Sequence, residues 1–358
     1  MDERKLYTSD GYLNVPYIYE TMEKLKAPNC FIVGGRGTGK TYGWLKYLTE
    51  NDIPHIFAQR TEQKMKILAT PNFNVYKTLN DDCGWNYEYF KVPGTGSAIY
   101  EAAPAELDKK GKSRPAGPPI QTMIALSTFS NVRGFDGSAY DVFLYDEFIK
   151  EPTERTVIKD EATALFNAYE TINRNRELKG KHPVKLICLA NANDVTNPIF
   201  TGLELVNIAY KMNQTGQVFR HEPKRGMILI NMDNSPISKA KQDTALYKLT
   251  AGTAYSKMAL GNDWAFNSFE VSRSRPLREY KPLVKVGELT IWRHRSKNLY
   301  YVTPHAAGSP PTYGTSEIEL TRFTARYIGI WRAHLSGCVE FENVACETLF
   351  CRIYGFIK

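Results

Sequence analysis

No stretch of the 358 residues approaches the roughly 18 consecutive apolar residues that a membrane-spanning helix requires. The amino terminus, Met1-Asp2-Glu3-Arg4-Lys5, is charged where a secretory signal would turn apolar, so the expectation is a cytoplasmic chain with no membrane segment. Cysteine is sparse and unpatterned. Cys30, Cys83, Cys188, Cys338, Cys346 and Cys351 form no C-x-x-C pair and have no histidine at metal-ligand spacing. Several sit in apolar runs, which reads as reduced core thiols rather than a metal site or a disulfide framework. Internal repeats and long low-complexity tracts are also missing. Acidic residues fall short of basic ones by eight, and the +8 net charge points to a polyanionic partner. Hydrophobic content of 42% and charged content of 23% are those of a soluble globular protein, and the length suggests two domains.

What is present begins with Gly34-Gly35-Arg36-Gly37-Thr38-Gly39-Lys40-Thr41, a G-x-x-x-x-G-K-T run directly after the apolar Cys30-Phe31-Ile32-Val33. A nucleotide-phosphate loop needs this order. The glycines let the backbone turn its N–H groups onto anionic oxygens, and the helix that follows directs its positive end at the same phosphates. Lys40 would reach the β/γ-phosphates and the Thr41 hydroxyl would ligate Mg²⁺. A second apolar run, Val142-Phe143-Leu144-Tyr145, ends in Asp146-Glu147. Asp146 at the strand end would hold Mg²⁺ through water or Thr41, and Glu147 would polarise the attacking water. A base beside the metal-binding acid favours hydrolysis over nucleotide sensing.

Strand-like segments at 30–33, 54–58, 122–127, 141–145 and 185–190 alternate with helical ones after Lys40 and near 160–178, the pattern of a parallel sheet covered by helices. Residues 93–119, rich in Pro, Gly and Lys, read as an exposed loop or hairpin tip. We expect a first domain over 1–205, a polar connecting subdomain over 206–245, and a second domain over 246–358. In the last, Leu283–Val286, Leu289–Trp292 and Leu299–Val302 read as consecutive antiparallel strands, and 317–335 as helical. The strand Lys185–Ala190 ends in Asn191 at the carboxyl edge of the sheet, where ligands bind in such folds, so Asn191 is a candidate γ-phosphate sensor or a simple Asn turn. Arg36 carries a charge that cradling phosphate does not require, and it would either approach the γ-phosphate or answer a neighbouring loop. Arg174, in Asn173-Arg174-Asn175-Arg176, closes a helix, where the helix dipole by itself favours a cation. Arg133, just before the acidic strand, invites the same plain reading.

Taken with Tyr145-Asp146-Glu147-Phe148-Ile149, Asn173-Arg174-Asn175-Arg176-Glu177, Ile187–Ala192 and Asn197-Pro198, the phosphate loop resembles the DNA-packaging ATPases of phi29-like bacteriophages. Order and spacing agree over about residues 30–200, and Gly252-Thr253-Ala254-Tyr255 with Met258-Ala259-Leu260 continue the resemblance weakly. It implies an additional-strand, RecA-like ring ATPase, assembled as a homo-oligomer, a pentamer in that family. Such a ring sits transiently on a prohead in the host cytoplasm with a structural RNA and the portal, and drives double-stranded DNA inward. It also implies ATP and Mg²⁺ as cofactors. Lys40, Thr41, Asp146 and Glu147 would keep the roles given above, Arg174 would act across the subunit interface, and Arg133 would be a second trans-acting cation. An arginine finger makes hydrolysis depend on a neighbouring subunit.

The resemblance further implies an RNase H-like second domain. A two-metal nuclease needs clustered carboxylates, and the candidate strands 283–292 and 299–303 carry one acid, Glu288, so nuclease chemistry is not expected. Residues 270–297 instead hold eight Lys/Arg against three Glu, interleaved with Tyr280 and Trp292. That stretch is either a solvated sheet face or a contact to nucleic-acid phosphates. Two rivals stand beside the packaging motor: a terminase-like ATPase with a working nuclease, and a nucleotide-gated assembly switch.

Overall fold

The computed structural model describes residues 2–95, 99–132, 136–151, 154, 156–232, 235–253, 256, 259–260 and 275–355. The chain divides into two compact units. One comprises Met1–Ala192 with Gly216–Asp263, and the other Asn193–Thr215 with Trp264–Lys358.

The first unit is built on a sheet that has ten strands among the described residues. In chain order these are β1 (Asn29–Gly34), β2 (His55–Gln59), β3 (Tyr87–Lys91), β4 (Ile99–Leu107), β5 (Ser113–Pro115), β6 (Gln121–Ala125), β7 (Val142–Asp146), β8 (Lys185–Ala190), β9 (Phe219–Glu222) and β10 (Met227–Met232). They lie in the order β3-β4-β6-β2-β7-β8-β1-β10-β9, with β5 on β4. The six from β6 to β10 are mutually parallel. Every residue of β2, β6 and β10 is buried, polar ones such as His55, Gln121 and Asn231 included, as expected where helices cover both faces of a parallel sheet. Trp44, Leu45 and Leu48 of the helix Lys40–Glu50 join Cys30, Ile32, Leu144 and Ile187 in one core. Strand β8 separates the phosphate-loop strand β1 from the acidic strand β7, so all three end at one edge.

Two expectations for this unit change. Residues 93–119, read from sequence as an exposed loop or hairpin tip, do hold a hairpin, β4 with β5, but β4 also pairs antiparallel with β6 and buries Ile99, Ala102 and Ala103. The surrounding Pro and Gly hid an apolar strand whose partners lie in the tertiary fold. The expected connecting subdomain 206–245 is divided. Its Met227–Met232 segment is β10, parallel to β1 and wholly buried, whereas the helix Val206–Gln214 belongs to the second unit.

The second unit holds β11 (Tyr280–Val286), β12 (Leu289–His294), β13 (Tyr300–Thr303), β14 (Thr312–Tyr313) and β15 (Val339–Phe341), in the order β14-β11-β12-β13-β15. As expected, β11, β12 and β13 are consecutive and antiparallel. Gly287, at φ +52°, makes the two-residue turn between the first two. The neighbouring Glu288 caps the helix Val206–Gln214, accepting from the backbone N–H of Val206 (2.7 Å) and Asn207 (2.8 Å). A carboxylate at a helix N-terminus satisfies orphan donors and the dipole together. Arg352 fastens the same return segment through the Asp194 carboxylate and the Thr196 carbonyl. The helical stretch 317–335 is two helices, Glu317–Arg326 and Ile328–Leu335, broken at Tyr327. Among the described residues no helix is long and apolar enough to cross a membrane, and all six cysteines are free thiols.

Candidate active site

The loop after β1 turns on two left-handed glycines, Gly37 (φ +63°) and Gly39 (φ +82°). Gly35 serves by its missing side chain, because a Cβ there would sit 2.6 Å from the Ala259 carbonyl oxygen. The helix Lys40–Glu50 starts at the loop's end and presents its free N–H groups to the cleft. Lys40 Nζ donates to the carbonyls of Gly34 (3.0 Å) and Gly35 (2.7 Å) and to Asn191 Oδ1 (3.2 Å). Burial lowers the Lys40 ammonium to about 7, opposed by the Asp146 carboxylate and reinforced by Lys241 and Arg36.

Across the cleft, Thr41 Oγ1 donates to the Asp146 carboxylate, 3.0 Å from each oxygen. Burial raises the Asp146 carboxyl, while the Thr41 hydrogen bond and the charges of Lys64 and Lys40 pull it down. Glu147 follows with φ +54°, a backbone setting that costs a non-glycine residue about 1–2 kcal/mol. Three contacts hold it: its N–H donates to Asp146 Oδ1 (3.1 Å), its carbonyl accepts from Arg60 (2.8 Å), and Lys64 forms an ion pair with its carboxylate. The turned backbone brings Glu147 into the cleft lining. Arg36, Lys40, Thr41, Asp146, Glu147 and Asn191 all border this space of about 320 Å³.

Of the remaining sequence candidates, Arg36 answers a neighbouring loop, with Nη2 2.6 Å from Glu151 Oε1. Arg174 caps the helix Glu161–Asn173 in the left-handed region (φ +40°), half-exposed and outside the cleft lining, with Nε donating to the Thr171 carbonyl (3.1 Å). Its companion Arg176 is buried against the Ser138 carbonyl (2.8 Å) and the Asp141 carboxylate (3.3 Å). Arg133 lies outside the described residues, as do Ala254, Tyr255 and Met258 of the weakly matching segment.

The sequence profile of the Podovirus DNA encapsidation protein (Gp16) family matches residues 116–313, more than half of the chain and a span holding the acidic strand β7, Asn191 and Arg174. The chain belongs to that family. It is 27% identical over 337 residues to a DNA packaging protein of Bacillus phage B103, covering 89% of this chain and 94% of the relative. It is 26% identical over 342 residues to the DNA packaging protein of Bacillus phage phi29, covering 90% and 92%. Among solved structures, a chain of the bacteriophage Phi-29 viral genome packaging motor assembly shares the fold with a TM-score of 0.60 at 19% identity, over 99% of this chain and all of the other.

In this family member three further cations reach the loop or the acidic edge and were not picked out from sequence. Arg60, directly after β2, is buried between Glu161 (3.0 Å) and Glu154 (2.7 Å) as well as the Glu147 carbonyl. Lys64 sits one helical turn later on Glu147. Lys241 donates to the carbonyls of Arg36 (2.8 Å) and Gly37 (2.9 Å), backing the phosphate loop from the segment after β10. Arg60 had a legible signal, since it ends a parallel strand on the same carboxyl edge as Asp146 and Asn191. Lys241 had none, because its placement depends on β10 pairing with β1.

In the second unit the basic stretch is split by burial. Tyr280 and Trp292, interleaved in a stretch read as either a solvated sheet face or a nucleic-acid contact, are core residues packed with Tyr301. The pleat turns them inward while Lys281 and Arg293 face out. Lys281, Arg293, Arg295 and Lys297 rim a separate concavity of about 460 Å³. Among the described residues no group of His, Cys, Asp or Glu is arranged to hold a metal ion.

Proposed function

We propose that the protein is an ATP-hydrolysing ring motor that moves viral double-stranded DNA into a preformed prohead. The observation that carries this reading is the convergence of the Gly34–Thr41 loop, the Thr41–Asp146 pair and Glu147 on one cleft. The loop N–H groups and Lys40 bind the triphosphate. Thr41 and Asp146 offer adjacent hard oxygens, which suit Mg²⁺ with its retained waters, and the ion when bound neutralises phosphate charge. Glu147 accepts the proton of the attacking water, and Asn191 senses the terminal phosphate. Arg174, on a helix end outside its own cleft, acts on a neighbour's nucleotide in a homo-oligomeric ring, five subunits by family resemblance, and Arg133 is the second trans cation.

The second unit, 193–215 with 264–358, is the RNase H-like module without nuclease chemistry. Two of its acids are committed to other roles: Glu340 to an ion pair with Arg275 and Glu288 to a helix cap. The rim of Lys281, Arg293, Arg295 and Lys297 is its contact to nucleic-acid phosphates, whether DNA or the structural packaging RNA. The motor acts in the host cytoplasm, docked transiently at the portal of the prohead.

Glu147→Gln tests the assignment, because the amide keeps size and hydrogen bonding but cannot take a proton. Nucleotide binding is expected to persist while turnover falls by about 10²–10⁴. Hydrolysis at the parental rate would remove Glu147 as the base. Binding with turnover that is slow in the parental chain, and unchanged by double-stranded DNA or assembly, would favour the assembly switch.

A further inference from the structure

A second cleft, of about 620 Å³, opens on the other side of the phosphate loop's last glycine. It shares Gly39 and Tyr42 with the phosphate cleft. Tyr12, Pro16 and Tyr47 line it together with the charged Asp10, Asp82, Lys46 and Glu50. From these features we infer that it receives the base and sugar of the nucleotide whose phosphates lie on the loop, with Tyr12 as the stacking platform. The inference rests on the proposed function, since it supplies the nucleoside half of the same ligand.

Three observations carry it. The cleft's size lies within the roughly 300–1,000 Å³ of small-molecule sites, and it adjoins the phosphate cleft through the shared Gly39 and Tyr42. Tyr12 is fixed rather than loosely exposed. Its backbone exchanges hydrogen bonds with Thr8, the next residue Leu13 donates to the Thr38 carbonyl of the loop (3.1 Å), and Gly11 packs on Pro236. The ring lies against Gly39, where an added Cβ would come within 3.1 Å of it, yet the residue keeps 43% of its surface exposed. A partly exposed aromatic ring on an anchored backbone beside a phosphate loop suits a base, because every base has a π-face to stack. The carboxylates select among nucleosides. Asp82 already accepts the Tyr42 hydroxyl (2.8 Å), and it and Asp10 offer further lone pairs to ribose hydroxyls or a base amino group.

Calorimetric titration of the full chain with ATP and with inorganic tripolyphosphate, both with Mg²⁺, separates the two halves of the ligand. The parental protein is expected to bind ATP at least about tenfold more tightly than tripolyphosphate. Tyr12→Ala should weaken ATP by about tenfold, the order of one lost base–aromatic contact, and leave tripolyphosphate unchanged. Tyr12→Phe should retain parental ATP affinity. Equal parental affinity for the two ligands would overturn the nucleoside site while leaving the phosphate loop in place. Equal loss of both ligands in Tyr12→Ala, or no loss of either, would also overturn it, the first by showing that Tyr12 acts only on the loop. Binding of neither ligand by a folded parental chain would refute the proposed function and this site with it.

Discussion

If the loop binds a triphosphate as proposed, the surroundings of Lys40 make that affinity depend on pH. Burial lowers its ammonium to about 7 in the ligand-free loop, because the surrounding carbonyls replace water only in part. A triphosphate brings several negative charges to the same place and restores the charged form. The sign follows: affinity is full below about pH 7 and is lost as pH rises through that value. The free lysine is about one-tenth charged at pH 8 and about one-hundredth at pH 9, so affinity should fall about tenfold per pH step, or about 1.4 kcal/mol each. Phosphate's own second ionisation, near pH 6, lies outside this window. Titration calorimetry from pH 7.5 to 9, in paired buffers of different ionisation heat, reads both quantities. Uptake of about 0.9 proton is expected at pH 8. Constant affinity across the range, with the same heat in both buffers, would refute the reasoning by showing that Lys40 is charged in the empty loop.

Arg174→Ala should lower turnover in the assembled ring. Mixing it with Glu147→Gln subunits should restore part of it, wherever an intact Glu147 meets an intact Arg174, since a finger is worth about 10³–10⁵; rings shown to be mixed but without rescue would exclude the trans role. Reversing Arg293, Arg295 and Lys297 to Glu should weaken nucleic-acid binding and flatten its salt dependence, which for about four neutralised phosphates has a slope near −3.6. Salt-independent binding in the parental chain would leave that rim a solvated face, and Mg²⁺- or Mn²⁺-dependent DNA cutting would overturn the nuclease-free reading of the second unit.

Local pattern was enough for the elements whose residues explain themselves. The β1–loop–helix passage was legible because its glycines and Lys40-Thr41 are contiguous. The strands Val142–Asp146 and Lys185–Ala190 were legible because a buried parallel strand is an apolar run. The cations around the acids were not legible in the same way. Arg60 and Lys64 meet Glu147 from more than eighty positions away, and Lys241 meets the loop from more than two hundred. Residues 206–245 looked like a connector by composition, yet six of them are a buried strand between β1 and β9, because a segment's role in a sheet depends on its neighbours. The likeness of Tyr280 and Trp292 to nucleic-acid contacts failed for a related reason: charge and aromaticity are read along the chain, whereas the pleat assigns alternate residues to opposite faces. The sequence by itself determined the residues on which the proposed chemistry rests, a G-x-x-x-x-G-K-T loop after one strand and an Asp-Glu pair after another. Only the tertiary structure decided which charges surround them, because side chains distant along the chain become neighbours when strands β2, β7, β8, β1 and β10 align in parallel and end at one edge.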